Sequence, residues 1–191
     1  DKGRQNTEIM LAPVLNNLTP QNSSLTQAAG FPGIPAGLHH VKYAAVQEWN
    51  RFDAKKREYR YIFSTKPLTP FNQNYLGYYA TVEKEKILET LNLFKGVHDF
   101  EYFSKKGSNP KSTVREIYDL QFYQYKDLYV LRFIGNSFLR SQVRMMVEGI
   151  MKVSSGKLHP KDIEQQITKK RLHTWTLASA NGLYLSKISY T

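Results

Sequence analysis

The strongest constraint on the fold is a change of hydrophobic period within one stretch, residues 128–153. Tyr129, Leu131 and Phe133 alternate with Val130, Arg132 and Ile134, the period of a strand. Gly135-Asn136 breaks the strand, and Ser137 reads as the N-cap of a helix. From Phe138 the period becomes helical: Leu139, Val143, Met146, Ile150 and Val153 fall on one stripe. Arg140 and Arg144, four residues apart, share the edge of that stripe. Two readings stand open at this point. The pair is either two solvated charges on an amphipathic helix, or one of them is a fixed cation at the bottom of a site.

Further elements follow from the same patterns. Lys55 to Ser64 reads as a strand, with Arg57, Tyr59, Tyr61 and Phe63 on one face and Glu58, Arg60 and Ile62 on the other. Thr81 is expected to cap a helix over residues 82–95, ended by Gly96. His98-Asp99-Phe100 starts a short turn or helix, with Asp99 as a cap. A mobile basic loop follows over residues 105–112. Residues 113–125 and 128–134 read as a β-hairpin about Lys126-Asp127. Pro160 suits the first turn of a helix to about Lys170, and residues 182–190 form the last strand. This order predicts an α+β fold, a mainly antiparallel mixed sheet with helices packed on one face.

Residues 1–50 are different in kind. No Asp, Glu, Lys or Arg occurs from Ile9 to Val41, and four prolines and three glycines break the segment into loop with short elements. His39-His40 has no third ligand nearby in sequence and reads as surface histidine, so no metal site is expected. Two units are therefore expected, a loop-rich remnant over 1–50 and a functional half over 51–191. Lys2, Arg4 and Lys42 balance Asp1, Glu8 and Glu48, so residues 51–191 carry the whole net charge of +11. A segment that basic suits a polyanion, nucleic acid first. The chain has no cysteine, which excludes disulfides, thiolate metal sites and cysteine nucleophiles. With no long apolar span and no cleavable signal, a cytoplasmic location and no membrane partner are expected.

Five motifs in order resemble the TruA family of tRNA pseudouridine synthases. They are Arg51-Phe52-Asp53-Ala54 with Arg57-Glu58-Tyr59-Arg60-Tyr61; Phe94-Lys95-Gly96-Val97-His98-Asp99-Phe100 with Phe103-Ser104; Thr113-Val114-Arg115-Glu116-Ile117; Asn136-Ser137-Phe138-Leu139 with Val143-Arg144-Met145-Met146-Val147; and Ala180-Asn181-Gly182-Leu183-Tyr184-Leu185. Each alone is weak, and their order over nearly all of residues 51–191 carries the resemblance. It implies a pseudouridine synthase type fold and an isomerase that converts uridines of the tRNA anticodon stem-loop to pseudouridine. It also implies a homodimer and no cofactor. The alternative reading is a catalytically incomplete basic RNA-binding module.

The resemblance implies roles as well. Arg51 matches the arginine that helps to flip the base, Tyr59 the tyrosine against the uracil, and Arg144 the arginine that pairs with the catalytic aspartate. The family carries that aspartate in Arg-Thr-Asp-Ala/Lys-Gly-Val-His-Ala. Asp1-Lys2-Gly3 matches its middle, which makes Asp1 the candidate nucleophile. Arg4 stands in place of the valine, no His-Ala follows, and residues 4–50 depart from the family. The expectation is a fragment, a product that lost its early region, or a divergent protein. Asp53 falls at a variable family position and reads as structural. Arg57, Arg60, Lys105, Lys106, Arg115 and Arg140 are candidates for the phosphate backbone. By pattern alone Tyr59 also fits a core position beside Tyr61 and Phe63.

Overall fold

The computed structural model describes residues 54–107 and 110–190. The readings that fall on residues 1–53, among them Asp1, His39-His40, Arg51 and Asp53, lie outside the described residues. Six strands and three helices follow one another as β1 (Lys56–Ser64), β2 (Gly77–Tyr78), α1 (Lys84–Leu93), β3 (Gly96–Asp99), β4 (Val114–Tyr125), β5 (Leu128–Gly135), α2 (Gln142–Ser154), α3 (Pro160–Ile167) and β6 (Leu183–Ser189). The sheet order is β2-β1-β5-β4-β3, and β6 also pairs with β1. All pairings are antiparallel except β1 with β2. This is the expected α+β fold with a mixed sheet.

β1 is the axis of the sheet. Along one edge it pairs with β5 from Arg57↔Gly135 to Phe63↔Tyr129. Along the other it pairs first with β6 and then, at Phe63 and Ser64, with β2. The period-2 pattern then sorts its side chains. Tyr61 and Phe63 join Leu131, Phe133, Ile87, Leu91, Val143, Met146, Ile150 and Ile163 in the core under the helices. The opposite face is polar. There Glu58, only 6% exposed, receives Arg132 Nη2 at 2.7 Å and Arg60 Nε at 2.9 Å. Burial alone would raise the Glu58 carboxyl, but the hydrogen bonds from Arg132 and Arg60 outweigh it and hold the group below its ordinary value.

Three expectations about local structure are corrected. α1 begins at Lys84 rather than at Val82, and Thr81 is not its cap; the Glu83 N–H instead donates to Ser154 Oγ of α2 at 2.9 Å. The segment around His98 is strand β3, paired with β4 through His98↔Arg115. α2 begins at Gln142, not at Phe138. Asn136 Oδ1 accepts from the Ser137 N–H at 2.6 Å and from the Glu116 N–H at 3.1 Å and folds the chain into a turn. Ser141 then takes a left-handed backbone, φ 63°, which a continuous helix from Phe138 could not contain. Arg140 therefore precedes α2 and is exposed, and the helical Arg140–Arg144 pairing does not exist.

The Tyr61 ring needs backbone without side chains beside it. A Cβ on Gly77 would lie 2.6 Å from Tyr61 Oη, and one on Gly182 would lie 2.6 Å from the Ile62 carbonyl oxygen and 2.9 Å from Tyr61 Cζ. Gly182→Ala is expected to cost about 2–3 kcal/mol by overpacking against backbone, measured by urea denaturation. Glu58→Gln should cost about 1–3 kcal/mol at pH 7 through its weakened bonds to two guanidinium groups. Because the folded Glu58 pKa is lowered, its contribution is present above the unfolded carboxyl value and is lost as pH falls through the folded one. Wild-type and Glu58→Gln stabilities should therefore converge in acid.

Candidate active site

β1 presents the tyrosines on one face, and Arg144, on α2, lies near enough for its charge to act on the Tyr61 phenol. Tyr59 is half-buried, and its ring meets the edge of Phe138 at 5.2 Å between centroids, nearly perpendicular. Phe138 lies in the turn that Asn136 folds, and its ring is the wall against Tyr59. Burial raises the Tyr59 phenol above its ordinary value, only partly opposed by the charge of Arg57. Tyr59 is thus a neutral phenol at physiological pH.

Arg144 sits on the first turn of α2, and its stem is fixed. Its Nε donates to the Ala178 carbonyl at 2.7 Å, while the Ala178 N–H donates to the Arg144 carbonyl at 3.2 Å. Among the described residues its two terminal nitrogens have no hydrogen-bond partner. A guanidinium held by one nitrogen, with its outer fork unspent, can receive a carboxylate or another anion through two parallel bonds.

The segment carrying Ala178 is irregular and owes its place to a residue that the sequence reading passed over. Gln166 on α3 is fully buried. Its Nε2 donates to the carbonyls of Tyr102 and Thr174, each at 2.9 Å, and its Oε1 accepts from the N–H groups of His173 at 3.0 Å and Thr174 at 2.7 Å. One amide thus satisfies four backbone groups and ties the approach to Ala178 onto α3. A polar residue on the inner face of a predicted helix was the signal available in the sequence.

A second polar line runs beside Arg144. Tyr79 Oη donates to Glu148 Oε2 at 3.5 Å, and Thr176 Oγ1 donates to Glu148 Oε1 at 3.2 Å. Lys152 Nζ lies 3.7 Å from Glu148 and donates to Thr176 Oγ1 at 2.8 Å. Tyr61 packs on Tyr79 with ring centroids 6.4 Å apart.

The candidate phosphate ligands separate into three places. Arg57 Nη1 donates to the Asn136 carbonyl at 2.8 Å, on the same face of β1 as Tyr59. Arg115 is near enough that the Arg57 charge, after burial, lowers its pKa. Lys105, Lys106 and Arg140 form an exposed corner, where the Lys105 N–H donates to the Arg140 carbonyl at 3.1 Å. Arg60 lies on the opposite face with Glu58, away from Tyr59. Asp99 caps the turn at Glu101–Phe103 and pairs with Lys169 Nζ at 2.6 Å, so it is structural. No helix among the described residues is long and apolar enough to cross a membrane.

A family model described as tRNA pseudouridine synthase matches residues 91–191. Among curated proteins, tRNA pseudouridine synthase A of Campylobacter jejuni (strain RM1221) is 43% identical over 140 residues, covering 73% of this chain and 58% of the relative. The protein of the same name from Wolinella succinogenes is 39% identical over 73% of this chain and 55% of the relative. That from Helicobacter hepaticus is 36% identical over 73% of this chain and 56% of the relative. The chain thus spans a little over half the length of the curated relatives that it matches.

Gln166→Leu should leave two N–H and two C=O groups without their partner and cost about 3 kcal/mol or more, read by chemical denaturation. Amide exchange over residues 172–178 should rise with it. Unchanged exchange there would mean that Gln166 does not hold the Arg144 clamp.

Proposed function

Given that the chain belongs to the tRNA pseudouridine synthase family, we propose that the protein isomerises uridine to pseudouridine in the anticodon stem-loop of tRNA. Two observations support the reading: Arg144 is clamped by its stem to Ala178 with its outer nitrogens unspent among the described residues, and the ring of Tyr59 is half-buried on β1 with its edge contact to Phe138. We further propose a homodimer acting in the cytoplasm, with no cofactor.

The chemistry gives each group a task. The N1–C1′ bond breaks, the uracil turns, C5 bonds to C1′, C5 loses its proton and N1 gains one, so the reaction is an isomerisation. The base must leave its stack, at a cost of a few kcal/mol. Arg51 is the proposed side chain that takes the vacated place. A carboxylate attacks C1′ or uracil C6, and Asp1 is the proposed source. In a dry pocket that carboxyl would hold its proton and be a poor nucleophile; the Arg144 fork keeps it ionised and aims it. Tyr59, kept neutral by burial, lies against the uracil face and passes a proton through its hydroxyl when C5–H is lost. Arg57, Arg115, Lys105, Lys106 and Arg140 contact phosphates, and tRNA shape supplies the selectivity. For Arg60 the ion pair with Glu58 on the far face argues for a structural task instead.

One observation favours a second reading, a basic RNA-binding module without catalysis: among the described residues no carboxylate is hydrogen-bonded to Arg144. A carbodiimide map of pseudouridine in tRNA incubated with the protein separates the two. New pseudouridine in the anticodon arm supports the isomerase; salt-sensitive binding with no product supports the module. For an isomerase, Arg144→Ala and Tyr59→Phe should each lower kcat about 100-fold or more while tRNA affinity changes little. Full turnover by Arg144→Ala would remove the assigned site.

A further inference from the structure

The face of the sheet turned away from the helices carries a cleft of about 370 Å³, a size that suits a ligand. Irregular pairing shapes it on both sides. Between β4 and β5 the register passes from Ile117↔Gly135 to Asp119↔Ile134, so Tyr118 is an extra residue without a partner. Between β6 and β1 it passes from Lys187↔Glu58 to Leu185↔Tyr59 and skips Ser186. Such bulges bend a strand and re-aim its side chains, and they are common beside functional sites. Tyr118, Lys187 and Lys56 line the cleft, together with Glu58, Asp119 and Arg132.

The charges in this cleft do not balance. Glu58 gives one oxygen to Arg60 and the other to Arg132. Asp119 accepts from Gln121 Nε2 at 3.0 Å and lies 3.7 Å from Arg132 Nη1. Both acids are thus matched by arginines, although Lys187 stands opposite Glu58 in the ladder. Among the described residues neither Lys56 nor Lys187 has an ion-pair partner, and both are exposed. Lys56 Nζ instead lies 5.5 Å from the centre of the Tyr118 ring. An aromatic face steadies an ammonium without neutralising it, and the three N–H donors stay available. Two uncompensated ammonium groups over a floor of paired charges suit an anion.

The position of the cleft favours an RNA backbone as that anion. Lys56 is the first residue of β1, and Arg57 follows it on the face that carries Tyr59. Arg57 also borders the cleft. Cations therefore continue from the Tyr59 face over the end of β1 to the far face, a path that a phosphodiester chain can follow. We propose that this cleft is a second tRNA contact, in which Lys56 and Lys187 each take a backbone phosphate and Tyr118 holds the Lys56 ammonium in place. It lies across the sheet from Tyr59 and touches no reacting atom. The inference rests on the tRNA substrate proposed above and not on catalysis. Its effect is affinity that falls with salt and is indifferent to base identity.

The test measures binding of an unmodified tRNA transcript between about 50 and 200 mM salt. It compares wild type, Lys56→Gln with Lys187→Gln, and a control, Lys157→Gln with Lys161→Gln, that removes the same charge from exposed positions elsewhere. The cleft variant should bind about 10-fold or more weakly, and the slope of log affinity against log salt should fall by about 1.5 to 2. The control should change affinity by less than about threefold, since solvent screens distant charges. Tyr118→Ala should weaken binding and Tyr118→Phe should not, because either ring faces the ammonium. In the wild type, tRNA should protect Lys56 and Lys187 from an amine-acylating reagent, read by peptide mass spectrometry, which needs no variant. A cleft variant that binds like the control overturns the proposal, as does full acylation of both lysines in the tRNA complex. Protection already present without tRNA and lost on dilution also overturns it, because a second copy of the chain would then cover this face. A wild type that protects the cleft but forms no product defeats the isomerase reading alone; an active wild type with an unprotected cleft defeats this inference alone.

Discussion

The two-way bond between Arg144 and Ala178 is the constraint on which the site depends. Arginine carries about 2 kcal/mol of side-chain freedom, and an unclamped one on a basic surface would sample solvent. Here the Ala178 carbonyl takes Nε, the Arg144 carbonyl takes the Ala178 N–H, and only the outer fork is left to bind. The cation is thereby aimed before any ligand arrives, the condition under which a charge stabilises a reacting group without reorganisation. The clamp in turn depends on Gln166, which ties an irregular segment to α3, and α3 on its burial of Ile163 and Ile167. The charge and its supports form one structural chain from core to site.

The sheet serves the same end from the other side. β1 is paired along both edges, so the residues it presents toward the helices cannot slip in register without moving Tyr61 and Phe63 out of the core. Tyr59 shares that face, and its position is therefore fixed by neighbours two and four residues away. The far face shows how basic composition and a fixed sheet coexist. Glu58 holds two arginines down by ion pairs, while Lys105, Lys106 and Arg140 project at an open corner. Positive charge is thus divided between structure and surface, and net charge alone does not say which residue belongs to which.

The main elements were legible because their periods are strong. The alternation of Tyr59, Tyr61 and Phe63, the stripe from Leu139 to Val153 and the hairpin about Lys126-Asp127 all appear near their expected places. What was illegible was settled by tertiary bonds. Ser141 takes a left-handed backbone just before α2, so spacing put Arg140 and Arg144 together where the fold separates them. β2 has two residues and pairs where β1 runs past β6, at Phe63 and Ser64. For the candidate site, Tyr59 and Arg144 were singled out by motif order rather than by periodicity. Gln166 and the Tyr61–Tyr79–Glu148 line escaped notice because their partners are backbone groups or lie 18 or more residues away in sequence.

The central claim is that Arg144 presents its fork to a carboxylate beside an extruded uridine. Its most direct test is a crystal structure of the protein with tRNA carrying 5-fluorouridine at the target, read for the distance from the Arg144 terminal nitrogens to the nearest carboxylate oxygen. The account predicts a charge-assisted pair at about 2.8 Å, with the Nε–Ala178 bond intact and the Tyr59 ring against the base. An Arg144 guanidinium turned to solvent, with no carboxylate near it and the uridine still stacked, would contradict it.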